Sequence, residues 1–124
     1  LDETVGEVLE ADAALVDEAL GLARAAQPGW DRRPAAERAA ILERAADGLE
    51  SRLGEFVALC VREAGKTVPD SIAEVREAVD FLRFYAARAR ADFGRPVALP
   101  GPTGESNELE LHGRGVFACI SPWN

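Results

Sequence analysis

The sequence has no methionine, two cysteines, one histidine and far fewer basic than acidic side chains, 14 against 22, in 124 residues. The formal net charge of -8 leaves no broad basic surface, which argues against a nucleic-acid binder. No apolar run approaches the roughly 20 residues of a membrane-spanning helix, so no transmembrane segment is predicted. Because methionine is missing even at position 1, we expect this chain to be a piece of a longer polypeptide.

The two cysteines and the one histidine do not have the spacing of a metal site. Cys60 and Cys119 are far apart, whereas a structural zinc site uses short paired spacings such as C-x-x-C. Each cysteine lies among apolar neighbours, and we expect two buried free thiols. His112 has no carboxylate or thiol partner nearby in the sequence and is interpreted as structural or solvated. With no signal peptide and no disulfide framework, a cytoplasmic setting is favoured.

The first two thirds of the chain have the pattern of helices. Apolar residues at steps of three and four predict a first helix from Thr4 to Ala26, which ends before Gln27-Pro28-Gly29. Pro34 opens a second helical stretch, because proline is tolerated at a first helical turn.

Glycines indicate that this second stretch is divided. Gly48 and Gly54 lie within the pattern, so we expect a break, with Ser51 as the N-cap of the second half. Gly65 is the predicted C-terminal stop, and Lys66 just beyond it complements the helix dipole.

A third and most regular helix is predicted after Pro69-Asp70-Ser71. One continuous stripe of apolar residues runs along it: Ile72, Val75, Val79, Leu82, Ala86, Ala89 and Phe93. A second face carries Glu77, Phe81 and Phe84, so we expect this helix to make contacts on both sides.

Glu77 is the unusual residue of the third helix. Its neighbours three residues away are Glu74 and Asp80, and no cation stands three or four residues from it. Arg76, by contrast, is expected to pair with Asp80. The spacing leaves two interpretations of Glu77 open: a solvated helix carboxylate, or one placed to bind a cation or a polar ligand.

The chain changes character after Gly94. Residues 95–104 are rich in proline and glycine, which excludes helix there. Alternation from Asn107 to His112 predicts a strand with one solvated face, and the apolar run from Val116 to Ile120 predicts a strand buried on both faces, as in a parallel sheet. Ligands bind beyond the carboxyl ends of such strands, so chemistry is expected just after Ile120.

Three ordered blocks resemble the aldehyde dehydrogenase superfamily: REAGKT (62–67), IAEVREAVDFLRFYA (72–86) and GRGVFACISPWN (113–124). Within it, LPGPTGESN (99–107) favours the glutamate-semialdehyde (pyrroline-5-carboxylate) dehydrogenase domain of the bifunctional proline utilisation A flavoproteins. The resemblance implies an α/β fold of which this chain holds the N-terminal helices and the first strands. Residues 1–94 would be the helical part of the NAD-binding domain, 95–112 a linker and oligomerisation-arm strand, and 113–124 a buried strand and the start of the cofactor and active-site loop.

The implied activity is NAD-dependent oxidation of L-glutamate 5-semialdehyde to L-glutamate in proline catabolism. The family forms a thiohemiacetal on a cysteine, transfers hydride to the nicotinamide and hydrolyses the thioester. That cysteine and the general-base glutamate lie beyond Asn124 in the family, so neither Cys60 nor Cys119 is the nucleophile, and these 124 residues alone are expected to be inactive. FAD is implied only if the parent also carries a proline dehydrogenase part.

The resemblance also implies roles for particular residues. Asn124 matches the asparagine whose amide stabilises the oxyanion. The segment Ile120-Ser121-Pro122-Trp123 lines the dinucleotide, and Glu77 lines the aldehyde entrance, where it meets the ammonium group of the substrate. The strand from Glu108 to His112 matches the arm of the oligomerisation sheet, which implies a homo-oligomer.

Two alternatives remain at this level. One is a general aldehyde dehydrogenase with another substrate. The other is a non-catalytic acidic helical module that binds a protein partner through the stripe of the third helix; the strand and the Pro-Trp-Asn block argue against it.

Overall fold

The computed structural model describes residues 4–120. Within them, the elements in chain order are α1 (Ala13–Asp31), α2 (Ala35–Ser51), α3 (Leu53–Ala64), α4 (Val68–Phe93), β1 (Val97–Leu99) and β2 (Asn107–Leu109). The chain divides into two compact units. Pro34–Leu111, with residues 4–7, holds α2 to β2, and Val8–Arg33, with the described residues of His112–Asn124, holds α1. Among the described residues, no helix combines the length and apolar character needed to cross a bilayer.

Small side chains form the core of the larger unit, where α2 packs mainly on α4. The buried apolar residues are Ala35, Ala39 and Ala46 of α2 with Val75, Val79 and Ala86 of α4. Alanine lets two helix backbones approach closely, and three members of the predicted stripe therefore do form the core. Ile72 and Phe93, at the two ends of the stripe, stay 37% and 38% exposed.

Two arginines of α4 donate hydrogen bonds to residues of α2. Arg83 donates hydrogen bonds to Asp47 (3.1 Å) and to Glu50, and these bonds raise the pKa of its guanidinium, the Glu50 bond most. Arg90 donates to Glu43 at 2.6 Å and to the carbonyl oxygen of Ala36 at 3.1 Å. At about 100° per residue the two arginines lie on the same side of α4, whereas a residue six positions before Arg83 lies about 120° away from it. That residue is Glu77, so the α2 contact leaves its face of the helix uncovered.

The first helix differs from its prediction at both ends. It begins at Ala13 because Asp12 is the N-cap, whose carboxylate accepts a hydrogen bond from the Leu15 N–H at 2.8 Å. The apolar Leu9, included in the predicted helix, is 98% exposed and outside it. The helix also continues through Pro28 to Asp31. Pro28 lacks the N–H that would bond the carbonyl group one turn earlier, and its ring crowds that group, but its own carbonyl oxygen still accepts a hydrogen bond from the Arg32 N–H at 3.4 Å, which closes the last turn.

The predicted division of the second helical stretch is confirmed, but at Arg52 and not at a glycine. Ser51 as N-cap was wrong, because its hydroxyl donates to the Gly48 carbonyl oxygen at 3.0 Å. Arg52 holds the N-cap position of α3 and donates to Glu55 in the first turn, which lowers the pKa of that carboxyl. The predicted end of the helix at Gly65 is confirmed. The φ of Gly65 is left-handed at 66°, and its N–H donates a hydrogen bond to the carbonyl oxygen of Val61 in the last turn of α3.

The turn-rich segment contains a strand that the sequence did not predict. β1 pairs antiparallel with β2, with Val97 opposite Leu109 and Leu99 opposite Asn107. β2 also stops at Leu109, short of the predicted His112. β2 is short because β1 has only three residues, and β2 can extend only as far as β1 offers hydrogen-bond partners.

The buried strand predicted over residues 116–120 is wrong. These residues have no strand pairing, and Phe117 and Ile120 are 72% and 90% exposed. A strand buried on both faces needs neighbouring strands and covering layers, and residues 4–120 place no strand beside this run. The prediction of buried thiols fails too, since Cys119 is exposed and Cys60 only half-buried.

Candidate functional site

A groove on the surface of α4, here called the α4 groove, gathers the candidate binding residues. It is open to solvent, has a volume of about 630 Å³ and is lined by Ala73, Arg76, Glu77, Asp80, Phe81 and Phe84. These positions recur at steps of three and four, so one helix alone builds the groove. The predicted grouping of Glu77, Phe81 and Phe84 on a second face is therefore confirmed, but the contacts expected on that face are absent from the described residues, where both rings are more than half exposed.

The start of α4 is held firmly one turn before the groove. Thr67 is its N-cap, accepting a hydrogen bond from the Asp70 N–H at 3.3 Å and donating to the Asp70 carboxylate at 2.7 Å. Lys66 forms an ion pair with Glu74, and its side chain is only 19% exposed. The charge of Glu74 is thus neutralised by Lys66. Glu77 is the next carboxylate along the helix.

The charged residues of the α4 groove have no partners in the described part of the chain. Glu77 forms neither an ion pair nor a hydrogen bond there, and the predicted pair of Arg76 with Asp80 is wrong, because no such bond is made. An exposed pair is worth only a few tenths of a kcal/mol, and the order of cation before anion along a helix is the weaker one. The groove therefore presents two carboxylates and one guanidinium, an excess of one negative charge.

An aromatic wall closes one side of the groove. The side chains of Phe81 and Phe84 are 51% and 55% exposed. Both rings contact Tyr85: Phe81 stacks on it with centroids 6.1 Å apart, and Phe84 meets it edge-on at 5.2 Å. A carboxylate beside aromatic faces can bind an organic cation, through charge and through attraction to the ring faces. The α4 groove therefore has side chains of the kind that bind an organic cation.

The other predicted site residues lie at or past the end of the described chain. Ser121, Pro122, Trp123 and Asn124 are outside the described residues, and Ile120 lies in the irregular segment of the smaller unit. Its apolar side chain could contact a ring of a dinucleotide but offers no donor to the phosphates. No group of three potential metal ligands occurs within residues 4–120.

The smaller unit contains a contact that the sequence did not reveal. Asp31 accepts a hydrogen bond from the Gly113 N–H at 2.6 Å, and its other oxygen lies 3.9 Å from Nδ1 of His112. A Cβ at Gly113 would stand 2.8 Å from Asp31 Oδ1, so a larger residue there would require the Asp31 carboxylate to shift. His112 has a carboxylate neighbour after all, but one 81 residues earlier in the chain, which no local pattern could have found.

Comparisons with known proteins agree with the resemblance to aldehyde dehydrogenases found in the sequence. The model of the aldehyde dehydrogenase family matches residues 1–124. "Bifunctional protein PutA" of Escherichia coli K12 is 45% identical over 122 residues, covering 98% of this chain and 8% of its own. "1-Pyrroline-5-carboxylate dehydrogenase 2" of Bacillus subtilis is 36% identical over 123 residues, covering 99% of this chain and 24% of its own.

Solved structures give the same result. A crystal structure of bifunctional proline utilization A (PutA) protein matches with a TM-score of 0.87 and 50% identity, over 91% of this chain and 12% of the other. An NAD-dependent benzaldehyde dehydrogenase from Corynebacterium glutamicum matches with a TM-score of 0.70 and 31% identity, over 86% of this chain and 23% of the other. The present chain thus spans 8% of the length of the Escherichia coli relative.

Proposed function

Since this chain belongs to the aldehyde dehydrogenase family, we propose that it is the N-terminal part of a dehydrogenase that oxidises L-glutamate 5-semialdehyde to L-glutamate with NAD, in proline catabolism. The family and the α/β fold class predicted from the sequence are confirmed by the family match and by the structural likeness. The narrower substrate is supported by the names of the relatives, which are PutA proteins and 1-pyrroline-5-carboxylate dehydrogenases.

The observation that carries the substrate proposal is the α4 groove. Glu77 has no ion pair within residues 4–120 and shares the groove with two exposed aromatic rings. L-Glutamate 5-semialdehyde carries an ammonium group, beside a carboxylate, on a short aliphatic chain; the ammonium is the part that Glu77 can bind, and Arg76 in the same groove offers a charge of the opposite sign to the carboxylate. When water leaves such a groove, the attraction between carboxylate and ammonium grows, because the effective dielectric constant falls.

We assign the contact with the reacting aldehyde group of the substrate to Asn124. Its side-chain amide would donate a hydrogen bond to the oxygen of the aldehyde as negative charge develops there, and one such donor typically supplies about 2.7–4 kcal/mol. Ile120, Ser121, Pro122 and Trp123 would line the NAD site, and NAD, when bound, accepts the hydride. FAD belongs to this protein only if it also carries a proline dehydrogenase part.

The hairpin of β1 and β2 supports a homo-oligomer. Val97 and Leu109, which face each other across the pair, are 58% and 52% exposed. An isolated two-stranded sheet is marginal in water, and its open edges can pair with a further strand. We assign residues 95–112 to an arm that adds to a sheet of another subunit, residues 1–94 to the helical part of the NAD-binding domain, and 113–124 to the start of the cofactor and active-site loop.

A substrate comparison tests the proposal. The full-length dehydrogenase that contains this sequence is supplied with NAD and with L-glutamate 5-semialdehyde, benzaldehyde or propanal, and NADH formation is followed by absorbance. We expect the highest kcat/KM for the semialdehyde. A preference for benzaldehyde or propanal would favour a general aldehyde dehydrogenase instead, and the absence of NADH with every aldehyde would favour the non-catalytic module.

A further inference from the structure

Tyr85, which is 56% exposed, contacts the aromatic wall of the α4 groove without lining the groove itself. Both rings that line the groove contact it: Phe81 lies nearly parallel to it, at an interplanar angle of 19°, and Phe84 lies at 79° to it. Tyr85 itself is not among the residues of the described chain that line the groove. It therefore acts on the groove only through its two neighbours.

Without such a contact the two wall rings would have little to hold them. Phe81, Phe84 and Tyr85 are 51%, 55% and 56% exposed, and an exposed side chain without ring contacts changes rotamer within picoseconds to nanoseconds, so the contacts among the three rings are what restrict each of them. The two contacts have the offset-stacked and edge-on geometries that aromatic pairs prefer, with centroid distances in the favoured range. One residue thereby restricts both rings at once.

The location of the rings gives this restraint a role in binding. Phe81 follows Glu77 by one helical turn and Phe84 follows it by two, so the wall extends along the helix from the carboxylate. A substrate held by its ammonium group at Glu77 would lay its aliphatic chain along these rings. A short aldehyde without an ammonium group would gain much less from their placement.

We propose that Tyr85 is a positioning residue that holds Phe81 and Phe84 as the wall for the aliphatic chain of the substrate, which raises affinity for amino-bearing aldehydes over short neutral ones. This inference rests on the proposed function of the groove. The ring of Tyr85 carries the effect, since its hydroxyl makes no hydrogen bond within residues 4–120.

Kinetics of the full-length dehydrogenase test the binding role. We expect Tyr85→Ala to raise KM for L-glutamate 5-semialdehyde about fivefold, with kcat and the KM for propanal changed less than about twofold. Tyr85→Phe keeps the ring and should restore the wild-type KM. The matched control is Phe93→Ala on the same helix, whose ring packs under Arg38 and not in the groove, and whose KM should stay at the wild-type value.

A double-mutant cycle tests whether Tyr85 acts through the two rings. In a Phe81→Leu/Phe84→Leu background, Tyr85→Ala should change KM less than about 1.5-fold, because the rings it holds are gone. A full fivefold effect in that background would overturn the proposal, as would equal losses for the semialdehyde and propanal.

A spectroscopic measurement separates this proposal from the assigned activity. With 4-fluorophenylalanine incorporated at position 84 of the full-length protein, Tyr85→Ala should move the fluorine resonance toward that of a free side chain, whereas Tyr85→Phe should leave it in place. An unmoved resonance in Tyr85→Ala would overturn the positioning role even in an active enzyme. A moved resonance would support it even if the enzyme preferred another aldehyde.

Discussion

Replacing Glu77 by glutamine removes its charge while keeping its size, and should weaken the binding of amino-bearing aldehydes alone. At 4 Å, a carboxylate and an ammonium attract each other by about 1 kcal/mol in bulk water and about 4 kcal/mol at an effective dielectric constant of 20. The α4 groove is an open surface in the described chain, with both wall rings half exposed, so the net value lies below the upper figure. Hydrogen bonds to charged groups have a net worth of about 1.5–3 kcal/mol, which fits between these limits.

This free energy converts into a range for the kinetic effect. A loss of about 1–3 kcal/mol corresponds to a KM about 5- to 150-fold higher for L-glutamate 5-semialdehyde in Glu77→Gln. Propanal has no ammonium group, so its KM should stay within about twofold. The measurement is initial-rate NADH formation by the full-length dehydrogenase at saturating NAD.

Two further variants make the Glu77 experiment decisive. Asp92→Asn removes another carboxylate of α4, one that pairs with Arg88 at 2.7 Å away from the groove, and should leave both KM values unchanged. Glu77→Asp keeps the charge on a shorter side chain and should lie between wild type and Glu77→Gln. If Glu77→Gln raised KM equally for both aldehydes, or for neither, Glu77 would be a solvated helix carboxylate, and the reasoning from the groove would be refuted.

Three further outcomes concern stability, each followed by urea unfolding of the full-length protein with a probe specific for its N-terminal part. Gly65→Ala should cost about 1 kcal/mol, because its φ of 66° is left-handed, and Gly65→Asn should cost less. Ala46→Leu should cost about 1–3 kcal/mol or more, because Ala46 is fully buried and a larger side chain forces strain where α2 meets α4. The hydrogen bond from Arg52 lowers the pKa of Glu55, so the contribution of this carboxylate to stability is present above its unfolded-state pKa and is lost as the pH falls through its lower folded-state pKa; the stability difference between wild type and Glu55→Gln should therefore shrink in acid.

The features that could be predicted from the sequence are those that one helix determines by itself. The grouping of Glu77 with Phe81 and Phe84 follows from helical spacing alone, and the structure shows it. The stop at Gly65 likewise needs only a left-handed residue after the last turn. Resemblance added what spacing could not, namely the family and a reason to choose between the two interpretations of Glu77.

The errors occur where a distant or competing partner decides the structure. The start of α1 depends on a side-chain bond from Asp12 that outweighed an apolar pattern beginning at Thr4. β1 exists because β2 pairs with it, and a three-residue strand in a proline-rich segment has almost no pattern of its own. The contact of Asp31 with Gly113 joins residues that lie 82 positions apart.

The same distinction bears on the two halves of the proposed chemistry. The α4 groove consists of side chains from consecutive turns of one capped helix, whose start is held by Thr67 and by the ion pair of Lys66 with Glu74. A dinucleotide site at the carboxyl end of a parallel sheet needs several strands at once, and residues 116–120 have no strand beside them in the described chain. Substrate recognition at Glu77 is therefore the part of the proposed activity that the described residues can form from local structure.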